Sequence, residues 1–194
     1  APAGPAKGPP YNPRPDPPVP MSETRLPEQC DVAVIGAGPA GSAAAFALAR
    51  RGLQVVLVDQ HVFPRDKVCG DGLIPDAHAA LRRMGVLDQV LQQAQHVSHV
   101  RCTGPRGGQV DVPGTLAVLP RMQLDPIVLA AAVRAGAQPL MPARFEGVLL
   151  DGERVCGVRL RHDGSEHALA ARWVVLATGA VPQGLMAAGV CERR

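Results

Sequence analysis

DVAVIGAGPAGSAAAFALARRGLQVVLVD, Asp31–Asp59, decides the fold of this chain. Asp31–Ile35 is apolar and β-branched enough for a buried parallel strand. Gly36, Gly38 and Gly41 then supply G-x-G-x-x-G. Gly36 permits a tight turn, Gly38 lets the backbone approach a pyrophosphate, and Gly41 lets the following helix pack close on the strand. With Pro39 and Ala40 between them, these glycines open an Ala-rich helix whose N-terminus offers free N–H groups and a positive dipole end to phosphates. Gln54–Val58 is the second strand, and Asp59 stands at its carboxyl end. A carboxylate there accepts hydrogen bonds from both ribose hydroxyls of an adenosine and repels a 2′-phosphate. A glycine-rich turn in some other α/β protein is the competing reading. The strand before, the helix after and the acid roughly 20 positions on tell against it.

Outward from this segment, composition bounds the rest. The chain has 194 residues, 46% of them hydrophobic, enough for one domain with a real core. Its net charge is +3, and its basic residues are scattered without interleaved aromatics, which argues against a nucleic-acid partner. Cys30, Cys69, Cys102, Cys156 and Cys191 form no C-x-x-C pair. Their odd number and wide spacing argue against a disulfide framework and a zinc site, so no metal is expected. A reducing cytoplasm is the expected setting. No transmembrane segment is expected, because no apolar run reaches about 18 residues. No signal-peptide core is expected at the N-terminus.

Nine of the first twenty residues are proline, which precludes helix and sheet there. Residues 1–29 are expected to be a proline-rich, mostly disordered arm or linker, and 30–194 the folded domain. PxxP-like spacing within PRPDPP also fits a ligand for a proline-recognition module. After Asp59 comes a loop, and then a helix around Asp76–Met84 with a second short one over Leu87–Gln95. His96–Cys102, Gly108–Val112 and Leu116–Leu119 read as short strands. Asp125–Arg134 reads as a helix with Pro126 in its permitted first turn. Gln138–Met141 is a short strand. A meander follows over Phe145–Leu150, Arg154–Arg161 and Glu166–Ala170, joined by the turns Asp151-Gly152 and Asp163-Gly164. Trp173–Ala177, WVVLA, reads as a separate, fully apolar strand ending at Thr178-Gly179.

Three segments now stand together: the glycine fingerprint with Asp59, the loop FPRDKVCGDGL over Phe63–Leu73, and VVLATGAVP over Val174–Pro182. On these, and on the meander, the chain resembles FAD-dependent oxidoreductases of the glutathione-reductase-like fold. More narrowly it is similar to the geranylgeranyl reductase family, relatives of the aromatic-ring hydroxylases and flavin-dependent halogenases. The resemblance implies an α/β, Rossmann-like FAD-binding domain with a parallel sheet, helices and an antiparallel β-meander. Residues 97–120 would be the first piece of an incomplete substrate layer. It implies FAD as cofactor, NAD(P)H as electron donor and a small isoprenoid or aromatic substrate that is reduced, hydroxylated or halogenated.

The resemblance also implies roles for particular residues. Gly36, Gly38 and Gly41 would cradle the pyrophosphate of FAD, and Asp59 would hold its ribose. Arg65 would lie near the adenine. Cys69, Gly70, Asp71 and Gly72 would run beside the flavin and its ribityl chain. Arg121 would face the cofactor, and Ala177, Thr178 and Gly179 would pass close to it. Plainer readings stand beside these: Arg121 as a solvated helix-start residue, Cys69 as a small apolar filler, Asp71 as a turn residue. No acid or base is named for catalysis. Family members run well past the ATG turn, so the chain is expected to be the N-terminal half of a flavoenzyme and inactive alone. The alternatives are a truncated, non-catalytic FAD-binding module, or one chain of a split enzyme completed by a partner. A plain NAD-binding domain is a weaker option, because the CGDG loop and the meander argue against it.

Overall fold

β1 (Gln29–Ile35) and β2 (Val55–Val58) pair in parallel, with Val32 opposite Val55 and Ile35 opposite Val58. Between them runs α1 (Pro39–Ala49), so the fingerprint forms the β-α-β unit its pattern demands. A computed structural model describes residues 26–192. Most of the arm foreseen over 1–29 lies outside the described residues.

The remaining elements in chain order are β3 (Gly72–Leu73), α2 (Pro75–Arg83), α3 (Leu87–Gln93), β4 (Gln95–Thr103), β5 (Gln109–Val118), α4 (Arg121–Arg134), β6 (Gln138–Leu140), β7 (Arg144–Asp151), β8 (Arg154–His162), β9 (Ser165–Leu176) and α5 (Gln183–Ala187). One sheet has the order β6-β2-β1-β9-β8-β7; a smaller one has the order β3-β5-β4. In the larger sheet β6, β2, β1 and β9 are parallel, and β9, β8 and β7 form the antiparallel meander. The expected architecture is thus present, with one difference in how it is joined.

That difference is β9. The sequence suggests two strands, Glu166–Ala170 and Trp173–Ala177. They form a single strand of 12 residues. Its first half pairs antiparallel with β8 and its second half parallel with β1, with Ala170 at the change-over. Ser165–Leu176 contains no glycine or proline to interrupt it, so the chain runs straight from meander to parallel sheet. Nor is WVVLA wholly buried: Trp173 is 68% exposed.

Two further boundaries move. β5 continues through Pro113-Gly114 instead of restarting at Leu116; the pairing absorbs the disturbance as a register shift between Val97 and His99. α4 starts at Arg121, four residues before Asp125, with Pro120 as its N-cap. The Pro120 carbonyl accepts the N–H groups of Gln123 and Leu124 at 2.8 and 3.0 Å. Pro126 therefore lies inside the helix, where its missing N–H forfeits one ladder bond. What keeps the helix there is burial on two sides. Leu129 and Ala132 pack with Val32, Val34 and Leu57 of the sheet, while Leu124, Ile127, Val128 and Ala131 pack with Leu81, Val90 and Leu119. A third cluster joins Ala33, Ile35, Val56 and Val58 to Val158, Leu160 and Leu169 of the meander. β1 from Val32 on and all of β2 are thus buried on both faces, as their unbroken apolar runs foretell.

Candidate functional site

At the carboxyl end of β1 the three glycines do different work. Gly36 has φ +103°, a conformation glycine adopts freely, and its N–H bonds the Val58 carbonyl at 2.7 Å. A Cβ on Gly36 would collide with the Ala177 carbonyl oxygen, and one on Gly41 with the Gly36 carbonyl oxygen. Gly38 is another case. Its φ is −66°, open to any residue, and a Cβ there would meet only Arg121 Nη2 at 3.3 Å and Arg65 Nη2 at 3.6 Å. Gly38 is the N-cap of α1, followed by Pro39 and Ala40. The first ladder bond runs from Ser42 N–H to the Gly38 carbonyl at 2.9 Å, which leaves the Ala40 and Gly41 N–H groups outside the ladder. Ser42, fully buried, also donates its hydroxyl to the Ala37 carbonyl at 2.9 Å and braces the turn from inside. Sequence reading passed over it, although a lone serine in an alanine-rich first turn was the available signal.

Asp59 is buried at the end of β2 and already holds the turn. One oxygen accepts the Ala37 N–H at 2.8 Å; the other accepts the His61 N–H at 2.9 Å, with His61 Nδ1 at 3.3 Å. A carboxylate has about four acceptor positions, so with Ala37 N–H and His61 N–H bound it retains capacity for two hydroxyls when His61 Nδ1 carries no proton, and for one when it does.

Over Gly38 lies a cluster centred on a residue not singled out beforehand. Asp125 is 0% exposed. It accepts Arg121 Nε at 2.6 Å and Nη2 at 2.9 Å, a bidentate pair one helical turn apart. Arg65 Nη2 reaches the same carboxylate at 3.4 Å. Arg65 Nε and Nη1 are buried with no hydrogen-bond partner among the described residues, and its guanidinium sits 4.8 Å over the Phe63 ring. Arg121 is only 15% exposed, so the reading of it as a solvated helix-start residue does not hold. The Asp125 carboxylate pushes the Arg121 guanidinium further above its ordinary range.

Cys69 stands beside Arg121 and is exposed, so it is not a buried filler. The Asp71 backbone N–H, and then the Arg121 guanidinium, hold its thiol below the ordinary value of 9.0. Burial acts the other way on Cys30, pushing that thiol up to about 11. Thiolate is the reactive form. Iodoacetamide is therefore expected to label Cys69 at neutral pH with a titration midpoint below 9.0, and to leave Cys30 unlabelled. Arg121→Met should move the Cys69 midpoint up only part of the way, because the Asp71 N–H remains. Peptide mapping across a pH series checks this; a Cys69 midpoint at or above the ordinary thiol value would refute it.

Asp71 has φ +54°, and its carbonyl accepts the Leu119 N–H at 3.0 Å, which fixes the loop against β5. Gly70 and Gly72 are exposed, and Gly72 opens β3. Ala177 touches the glycine turn, and its N–H bonds the Ile35 carbonyl at 2.7 Å. Gly179 has φ +75° in the turn that follows.

A cavity of about 750 Å³ opens at the carboxyl ends of β1 and β2. Gly36, Asp59, Arg65 and Thr178 line it together. Its far wall comes from Arg144, Phe145 and Glu146 of β7 and from Gln183 and Gly184 of α5, none of them foreseen. The α5 wall is held by Gly184, where a Cβ would meet Thr178 Cγ2 at 2.5 Å. Cys69, Gly70, Asp71, Gly72 and Arg121 do not line this cavity. The site thus divides into a cavity around Asp59 and an exposed stretch around Cys69, with Arg65 and Arg121 both beside Gly38. Clefts at the carboxyl ends of parallel strands are the usual ligand sites of open α/β sheets.

Against known proteins, a family model described as FAD binding domain matches residues 29–190. The menaquinone reductase of Mycobacterium tuberculosis is 38% identical over 162 residues, 79% of this chain and 38% of that protein. Digeranylgeranylglycerophospholipid reductase 2 of Methanopyrus kandleri is 36% identical over 150 residues, 77% of this chain and 37% of that protein. Among solved structures, the myxobacterial chondrochloren halogenase CndH superposes with a TM-score of 0.74 at 29% identity, over 79% of this chain and 38% of that one. The resemblance drawn from the three motifs is borne out. The chain spans less than two fifths of the length of these relatives.

Proposed function

This chain belongs to the FAD binding domain family, and from that premise we propose that it holds the ADP part of FAD for a flavin-dependent oxidoreductase. In this reading the diphosphate lies over Gly38, Asp59 takes the ribose, and the adenine enters the cavity between Arg65 and β7. The flavin end extends toward Cys69–Gly72. The observation that carries the reading is Arg65. Its Nε and Nη1 are buried donors without an acceptor among the described residues, a costly arrangement that an anion beside Gly38 would relieve. The missing Cβ of Gly38 supports it, since the atoms it would meet within 4 Å among the described residues belong to the guanidiniums of Arg121 and Arg65.

Bound FAD would supply the redox chemistry, taking electrons from NAD(P)H and delivering them to a small isoprenoid or aromatic substrate. This chain's residues bind and orient. Gly36, Gly41 and Ser42 fix the turn, the N-terminus of α1 and the two arginines meet the phosphate charge, and Asp59 discriminates the ribose. Catalysis is proposed for the protein at the full length its relatives have, with the opposite wall of the flavin site and the substrate contributed by the remainder.

Titration of the chain with FAD, FMN and NADP, followed by calorimetry, tests the assignment. FAD is expected to bind tightest. FMN lacks the adenosine, and the Asp59 carboxylate repels the 2′-phosphate of NADP. Tighter binding of NADP than of FAD would overturn it.

A further inference from the structure

We propose that Asp125 is a positioning residue for the cofactor diphosphate, acting through Arg121 and Arg65. The proposal rests on the assignment of FAD to the Gly38 turn and adds a residue that does not touch the ligand. Three observations carry it. Asp125 is completely buried yet bears a carboxylate. A buried charge survives only when it is paired and hydrogen-bonded. Its partners are two guanidiniums from segments far apart in sequence, Arg121 on α4 and Arg65 on the loop after β2, at 2.6, 2.9 and 3.4 Å. And both guanidiniums present an Nη2 to the one open glycine of the turn, 3.3 and 3.6 Å from where its Cβ would stand.

The arrangement solves an electrostatic problem. Two arginines side by side repel each other, and long side chains lose rotamer entropy when held still. One carboxylate between them removes the repulsion, fixes the plane of Arg121 by a fork-to-fork contact and tethers Arg65. The cluster keeps a net charge of one positive unit facing Gly38. The α1 N-terminus adds a further partial positive charge. An anion with two negative charges then meets a preassembled counter-charge, with no ordering of side chains left to do on binding. Arg65 Nε and Nη1, without partners among the described residues, are donors still available to it. Because Arg121 also faces Cys69, the same carboxylate ties the adenosine end of the site to that exposed stretch.

The test uses Asp125→Asn in the 194-residue chain, which keeps the shape and removes the charge. Binding of FAD and of ADP is measured by calorimetry at several salt concentrations, together with the thermal melt of the ligand-free protein. ADP carries the diphosphate without the flavin, so a loss in its affinity does not come from the flavin end of the site. Both affinities are expected to fall roughly ten- to hundredfold, the value of one or two misaligned charge-assisted hydrogen bonds. In an Arg65→Met/Arg121→Met background the same Asp125→Asn change should have little further effect on ADP affinity, because the residue acts through those arginines. Unchanged FAD and ADP affinity in the folded single variant would overturn the proposal and leave Asp125 a stability residue. Additive losses in the triple variant would overturn it as well. Should Asp125→Asn not fold, Asp125→Glu carries the test. Its extra methylene displaces the charge in a fully buried site, and full ADP affinity there would equally overturn the idea. If the unmodified chain binds neither FAD nor ADP, it is the assignment of the cofactor that fails.

Discussion

Gly41→Val is expected to leave no stably folded domain. A Cβ at this position would run into the Gly36 carbonyl oxygen and stand 2.9 Å from its carbon, with the Ala177 Cβ at 3.3 Å. The first obstacle is backbone, which cannot rotate aside as a side chain tip can. To make room, α1 would have to lift from the end of β1. That shift would break the bracing of the turn, in which Ser42 bonds the Ala37 carbonyl and Asp59 bonds the Ala37 N–H. It would also open the packing of Ala45 against Val34 and Leu57 at the centre of the sheet. Overpacking, cavity formation and lost buried hydrogen bonds together exceed ~4 kcal/mol. A domain of ordinary stability has only about 5–15 kcal/mol in all. The check is a thermal melt by circular dichroism; a cooperative transition within a few degrees of the unmodified chain would sink the prediction.

Legibility of the sequence follows how local each determinant is. β1, α1 and β2 are readable because strand, turn and helix signals are consecutive and the glycine spacing ties them to one geometry. The meander is readable because Asp151-Gly152 and Asp163-Gly164 demand turns, and Asp163 and Gly164 do take positive φ. β9 is not readable as one strand, because nothing local says that a residue pairing with β8 should hand over to β1. α4 misleads for a chemical reason. Asp-Pro is a common opening for a helix, so the helix reads as starting at Asp125, whereas that residue is the buried counter-ion of Arg121 one turn earlier. Once the helix starts four residues early, the 121/125 spacing places both on one face. The third member, Arg65, is 60 positions before Asp125, and no sequence signal joins them. The wall built from Arg144, Phe145, Glu146 and α5 is hidden for the same reason, since it reaches the cavity only through sheet topology.

Gly38→Val is expected to separate folding from binding. The fingerprint asks for glycine at all three positions, but only Gly36 and Gly41 are hemmed in by backbone. Gly38 has the extended backbone that suits a residue preceding proline. Its prospective neighbours are the ends of Arg121 and Arg65. Valine makes a poor N-cap, at about 1 kcal/mol, and the arginine tips must yield by a few tenths of an ångström. The variant should therefore fold, with a melt lowered by several degrees. Its branched side chain, however, fills the space between the N-terminus of α1 and the two guanidiniums. A diphosphate there would lose at least two charge-assisted hydrogen bonds, about 1.5–3 kcal/mol each, so FAD affinity should fall roughly 100-fold or more. ADP should lose a similar factor, because the obstruction lies at the phosphates and not at the flavin. Calorimetry on the folded variant decides. Full affinity for FAD would mean that the diphosphate passes elsewhere, and an equal loss of fold would mean that Gly38 serves the turn as Gly36 and Gly41 do.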